Sequence, residues 1–238
     1  DNHNVYDLSN AADFNMNDNV VPTFDAAGIR FSYDWRGSLR RNRLTNHRLG
    51  LDIVDTDDAQ YYQHIFDSTN TINGVPILYI ANTNFTSRLN RDASFVLIVG
   101  SNNITLDNIN VTNQTNNIIV MDSQDVTLHN VNLASPVNRL RLIRSSRVFT
   151  DHLTGASLTA EIRAGSGNQL NAVALSTANR CDSPHPLVVT SSDGFVLSHS
   201  TVGPSYYGPS ISSSANFVVE DTRFPNITRL QYCYAAPT

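Results

Sequence analysis

Residues Ser94–Leu133 read SFVLIVGSNNITLDNINVTNQTNNIIVMDSQDVTLHNVNL. Two segments of this stretch, SNNITLDNINV from Ser101 and SQDVTLHNVNL from Ser123, align on one another. Ile104 falls on Val126, Leu106 on Leu128, Asn108 on Asn130, Ile109 on Val131 and Val111 on Leu133, every pair 22 apart. Both segments alternate apolar with polar residues and are rich in β-branched side chains, the pattern of half-buried strands. One copy has nothing to bury its apolar side against, whereas stacked copies make a continuous core. The spacing predicts an all-β, single-domain parallel β-helix, a solenoid of about 22 residues per coil. Ile104, Val126 and Val148 should form one inward column.

Outward from this stretch the same offset recurs. It joins Ile29 to Leu51, Phe31 to Ile53, Leu39 to Tyr61 and Leu44 to Phe66 on one side, and Val189 to Ile211, Phe195 to Phe217, Leu197 to Val219 and Val202 to Phe224 on the other. Residues 20–238 are therefore assigned to the β-helix. Residues 1–19, rich in Asn and Asp, read as an irregular arm whose Val5, Tyr6, Leu8 and Phe14 would pack on a neighbouring subunit. Asn73-Gly74 is a turn signal before an apolar strand. Pro184 and Pro186 cannot join a ladder, so residues 179–186 read as a loop bulging from one corner. Asn108 and Asn130 suit sharp left-handed corners and could hydrogen-bond along the axis; His152 takes the equivalent place in the next coil. No helical pattern separates the strands, which excludes a doubly wound α/β fold.

The chain has 238 residues, 16 Arg and no Lys, and a net charge of −5. An acidic chain without a basic run is a poor nucleic-acid binder, and the lack of an apolar run of 18 residues argues against a membrane span. The opening DNHNVYDL, without Met, reads as the start of a mature exported product, which predicts an extracellular or cell-surface protein. Cys181 and Cys233 are the only cysteines, and such a location favours a disulfide. Their spacing leaves an intrachain bridge, an interchain bridge and two free thiols all open. Sequons stand at Asn84, Asn103, Asn110, Asn113 and Asn226, a count that chance alone would produce among 28 Asn residues.

Chemistry-bearing residues are sparse in pattern. Asp55, Asp57 and Asp58 form one carboxylate group, suited to calcium by their hard oxygens but matching no EF-hand spacing. Asp122 and Asp125 form another, of interest because glycosidases need two carboxylates across a bond. The seven histidines (His3, His47, His64, His129, His152, His185 and His199) are scattered without metal-site spacing and read as surface and turn residues. Tyr61-Tyr62, Tyr206-Tyr207 and Trp35 could stack on sugars or face another protein. No catalytic residue, cofactor or metal is expected.

The segment Asn70-Thr-Ile-Asn-Gly-Val-Pro-Ile-Leu-Tyr-Ile80, followed by Val96–Val99 and the Asn-Asn-Ile-Thr-Leu coil, resembles the right-handed parallel β-helix repeats of NosD-like and pectin-lyase-like proteins, including those of archaeal cell surfaces. The resemblance covers about 65 residues and implies fold more than activity, since that repeat serves lyases, hydrolases, metalloenzyme maturation factors and surface proteins. The expected function is structural: a self-assembling subunit of an extracellular layer, sheath or filament, its partners further copies of itself and glycans. The alternative is a carbohydrate-binding or carbohydrate-cleaving module, with a metalloenzyme accessory factor third.

Overall fold

The computed structural model describes residues 6–21, 29–32, 34, 36–45, 51–53, 64–112, 118–135, 138–177, 185–205 and 207–225, and every regular element among them is a strand. From Val75 onward the chain winds as a parallel β-solenoid with about 22 residues per turn. One wall is a ten-stranded sheet that includes Val75–Ala81, Phe95–Val99, Ile118–Met121, Asn138–Ile143, Leu158–Arg163, Leu187–Thr190 and Ser210–Ser212. A nine-stranded sheet opposite includes Asn84–Ala93, Asn102–Val111, Gln124–His129, Ser146–Asp151, Gln169–Asn171, Val196–Ser198 and Val218–Glu220. Ile104, Val126 and Val148 pair in register and are fully buried, as the repeat demands. Coil length varies around its mean. Residues bonded across adjacent coils are 18 apart at Asn90 and Asn108, 22 at Asp107 and His129, 20 at Asp151 and Asn171, and 27 at Asn171 and Ser198. The last of these steps spans the expected loop at 179–186, of which residues 179–184 lie outside the described residues.

Left-handed backbone defines the corners. In each coil from Asn82 onward the same three corner positions take positive φ: Asn82, Phe85 and Asn90, then Gly100, Asn103 and Asn108, and so on to Ser213, Asn216 and Asp221, with Ser157 and Gly203 as further positive-φ residues between corners. Asn108, Asn130 and His152 have φ of 52°, 50° and 54°, as expected of one corner column. Short polar side chains tolerate this region because they bond locally, whereas Arg144, Arg147 and Ala172 hold it only through surrounding structure. Beneath one corner runs a buried serine ladder. The amide of Ser101 donates to Ser123 Oγ (3.1 Å) and that of Ser123 to Ser145 Oγ (3.3 Å), while each hydroxyl donates to a carbonyl two residues back in its own chain. In the next coil Gly165 replaces the serine, and a Cβ there would lie 2.3 Å from Ser145 O. The Asn168 amide takes over, donating to Ser145 O at 2.8 Å and accepting from Val148 N–H at 2.9 Å.

The N-terminal region corrects two expectations. The described residues of 1–19 are a first coil rather than an arm: Tyr6–Ser9 pairs with Ile29–Ser32, Asn15–Asn17 with Ser38–Arg40, and Val20–Val21 with Arg43–Leu44. The offset here is 23, as between Asp13 and Arg36, so a 22-residue comparison passes over it. Leu8 and Phe14 pack on the chain's own core, and Phe14 stacks on Phe31 (5.7 Å) while lying flat on Gly37, where a Cβ would strike its ring. Tyr6 is 38 % exposed and Val5 lies outside the described residues. The next coil is longer still. Ile29 and Phe31 do pair with Leu51 and Ile53, but Leu39 pairs with Phe66 and Leu44 with Ile72.

Asn73 and Gly74 (φ 52° and 80°) then reverse the chain, pairing Ile72 with Val75 in the one antiparallel contact among the described strands. This hairpin places two cores on opposite faces of one sheet. Val96 and Ile98 point into the solenoid lumen, with Ile118, Val120, Leu140 and Leu142. Phe95, Leu97 and Val99 point the other way and join the N-terminal coils through Phe31, Leu39, Leu44 and Phe66. All five residues of Phe95–Val99 are consequently buried, the signature of a strand covered on both faces.

Candidate functional site

Stacking repeats every coil position along the axis, so outward polar residues meet their equivalents one coil away. Four corners carry an aspartate answered by an arginine. Arg144 grips Asp122 through two bonds (2.7 and 2.9 Å), and Arg147 grips Asp125 likewise (2.6 and 2.7 Å). Arg36 and Arg41 hold Asp13 and Asp18 in the same way. The hydrogen bond from each arginine holds Asp13, Asp18 and Asp125 below the usual carboxylate range. Asp122 and Asp125 are thus each engaged by a separate guanidinium along the axis and do not face one another as a carboxylate pair. A denser ionic group lies on the outward face of the ten-stranded sheet. Glu161, almost fully buried, contacts Arg139 (2.5 Å), Arg141 (3.2 Å) and Arg163. Burial opposes its charge, but the charges of Arg141, Arg139 and Arg163 outweigh that and hold its carboxyl below the ordinary value. This group was missed in the sequence, although arginines at positions 139 and 141 of an apolar strand, answered by a glutamate one coil later, were its signal.

A column of histidine and aspartate crosses the edge of the nine-stranded sheet. Asp107, His129, Asp151 and Asn171 occupy one register position on successive strands, and His152 stands at the adjacent corner. His129 Nδ1 lies 2.8 Å from Asp107 Oδ1, and its Nε2 lies 3.5 Å from Asp151 Oδ2. His152 Nδ1 is 2.9 Å from Asp151 Oδ1, which also accepts a 2.7 Å bond from the Asn171 amide. The two imidazoles meet edge to face with centroids 6.3 Å apart. Partial burial works against ionisation of Asp151, yet the hydrogen bonds from His152 and Asn171 overcome it and keep the carboxyl below its usual value. Further along, His199 Nδ1 is 3.0 Å from Asn171 Oδ1. The separations of roughly one coil between Asp107, His129 and Asp151 carried this cluster in the sequence; a search for contiguous ligand motifs passes over it.

Of the other expected residues, Asn84 and Asn103 are exposed, while Asn110 is half-buried in an amide ladder from Asp92 to Asn132. Asn108 bonds back to Asn90 (3.0 Å), and Asn130 lies against His129 Nδ1. His64 is buried against Phe31 and Phe66 and accepts the Gly37 N–H. His185 stacks on Tyr207. Asn113, Asn226, Asp55, Asp57, Asp58, Cys181, Cys233, His3, His47, Trp35, Tyr61, Tyr62 and Tyr206 lie outside the described residues. Among the described residues no helix is long and apolar enough to cross a membrane.

The fold makes this chain a parallel β-solenoid. No known family matches it, and no curated protein matches it either.

Proposed function

We propose that this protein is an extracellular structural element, a solenoid that self-associates end to end into a filament, sheath or surface layer. The observation that supports this is the state of the last described coil. Ile211, Val219 and Phe224 continue columns in which Val189, Leu197 and Val202 are fully buried, yet they are themselves 43 %, 42 % and 42 % exposed. Among the described residues, Ser210–Ser212 and Val218–Glu220 have neighbours on one side only, as do Tyr6–Ser9 and Val20–Val21 at the opposite end. Open edges with apolar residues behind them are templates for further strands, and a contact that repeats without closing builds a fibre. Exposed Asn84 and Asn103 suit glycan attachment at a cell surface, and the NosD-like resemblance, archaeal surface proteins included, belongs to the same reading. Sedimentation of the full chain across a hundredfold range of concentration, with electron microscopy, is the test. Concentration-dependent rods that disappear in Val219→Asp support it. A monomer throughout, with Val219→Asp changing only thermal stability, sinks it.

A further inference from the structure

The geometry points to a divalent transition-metal site made by His129, Asp151 and His152, with Asp107 positioning His129 from behind. It is independent of end-to-end association. One ligand atom from each of the three side chains lies within 4.8 Å of the other two. The tautomer of His129 is set by Asp107. An ionised carboxylate can only accept, so Nδ1, 2.8 Å from Asp107 Oδ1, carries the proton. In the neutral ring Nε2 keeps its lone pair, and Nε2 is the atom 3.5 Å from Asp151 Oδ2. A lone pair facing a carboxylate oxygen is repulsive unless a cation lies between them or the ring takes a second proton. A tetrahedral ion with bonds of about 2.0–2.1 Å spaces its ligand atoms by about 3.3–3.4 Å, close to the separation found here.

Three further features fit. The Asp107–His129 pair is the carboxylate–imidazole arrangement that orients metal-bound histidines. The Asn171 amide fixes the Asp151 carboxylate from the far side. All three ligand residues are partly or fully exposed, so an ion can enter and water can complete its shell. Two imidazoles and one carboxylate suit zinc and its neighbours, whereas calcium and magnesium prefer oxygen alone. The competing arrangement needs no metal: an imidazolium of His129 held between Asp107 and Asp151.

The test is calorimetric titration of the full-length protein, stripped with chelator, with zinc chloride and separately with calcium chloride at pH 7.5. We expect zinc to bind and raise the melting temperature, and calcium to do neither. His129→Asn and Asp151→Asn should each weaken zinc binding at least tenfold, and Asp107→Asn by about 10- to 100-fold. His199→Asn, on the same face beyond Asn171, should leave it unchanged, and circular dichroism should show every variant folded. Zinc uptake that survives a His129→Asn, His152→Asn double variant places the ion elsewhere and overturns the site. Absence of zinc uptake overturns it in favour of the imidazolium, and equal calcium binding overturns the assignment to a transition metal.

Discussion

Before the Asn73–Gly74 hairpin, the coils are tied internally by Asn19, Asn42 and Asn70; after it, by Ser101, Ser123 and Ser145. Asn42 is fully buried. It donates to Met16 O and Asn70 Oδ1 (both 2.8 Å) and accepts from Asn19 through its amide N–H (3.1 Å) and side chain (2.9 Å). A serine hydroxyl reaches less far, taking one N–H from the neighbouring coil and returning its proton to a nearby carbonyl. Asn42 bridges coils offset by 23 and 28 residues, and Ser123 coils offset by 22. The cores differ in step. Phe14, Phe31, His64, Phe66 and Tyr79 stack through the N-terminal one with centroids 4.9–6.1 Å apart, and burial pushes the Tyr79 phenol up to about 12. Among the described residues, the hydrophobic cluster of the solenoid lumen between Leu78 and Val189 is aliphatic, without an aromatic ring. One architecture is thus held by two chemistries.

That contrast also runs along a single row of the shared sheet. Tyr79, Leu97 and Ile119 face the N-terminal core, and the next residues in the same row are Arg141 and Glu161. The largest expected effect is therefore at Glu161. Glu161→Gln leaves Arg141, 1 % exposed, without its full countercharge and should lower stability by about 3–5 kcal/mol in denaturant titration. Because the Glu161 carboxyl is held below its unfolded value of 4.5, its contribution is present above that pH and is lost as pH falls through the folded value. Wild-type stability should decline more steeply below about pH 4.5 than that of Glu161→Gln. Equal slopes would assign acid unfolding to other carboxylates.

Next comes a paired test of the ladders. Asn42→Ala strands several buried groups and should cost about 3 kcal/mol, Ser123→Ala about 1–2 kcal/mol, both read from urea midpoints. Equal losses would mean that the two ladders are interchangeable. The smallest effect belongs to the corner clamps. Arg147→Gln should leave the melting temperature nearly unchanged at physiological salt, since exposed pairs are screened. A large drop would mean that the Asp125–Arg147 clamp holds the left-handed corner rather than decorating it.

The central coils were legible because equal length makes equivalent residues recur at one offset, so Ile104, Val126 and Val148 could be aligned by eye. The first coil was hidden by a single extra residue: Leu8, Met16 and Val21 match Phe31, Leu39 and Leu44 at 23. The Asn73–Gly74 turn was readable, but its consequence was not, because local turn chemistry says nothing about which face of a sheet the next core will occupy. The histidine cluster is spread over two coils, so it becomes visible only once register is known. Buried Arg141 resisted prediction for a related reason, since its partner stands 20 residues away on another strand.

The three left-handed corners keep a fixed interval. From Asn82, Phe85 and Asn90 to Ser213, Asn216 and Asp221 they are always three and then five residues apart, and Asn10, Asp13 and Asp18 repeat the spacing in the first coil. From Asn82 onward all variation in coil length falls on the arc between the third corner and the first corner of the next coil. The molecule therefore has a frame and a margin. Residues added on the margin leave the stacking grammar intact, as the 27-residue step already does, whereas one residue added within a paired strand would turn every following side chain on that strand inside out. A solenoid built this way can change its outline coil by coil while its three corners stay in line.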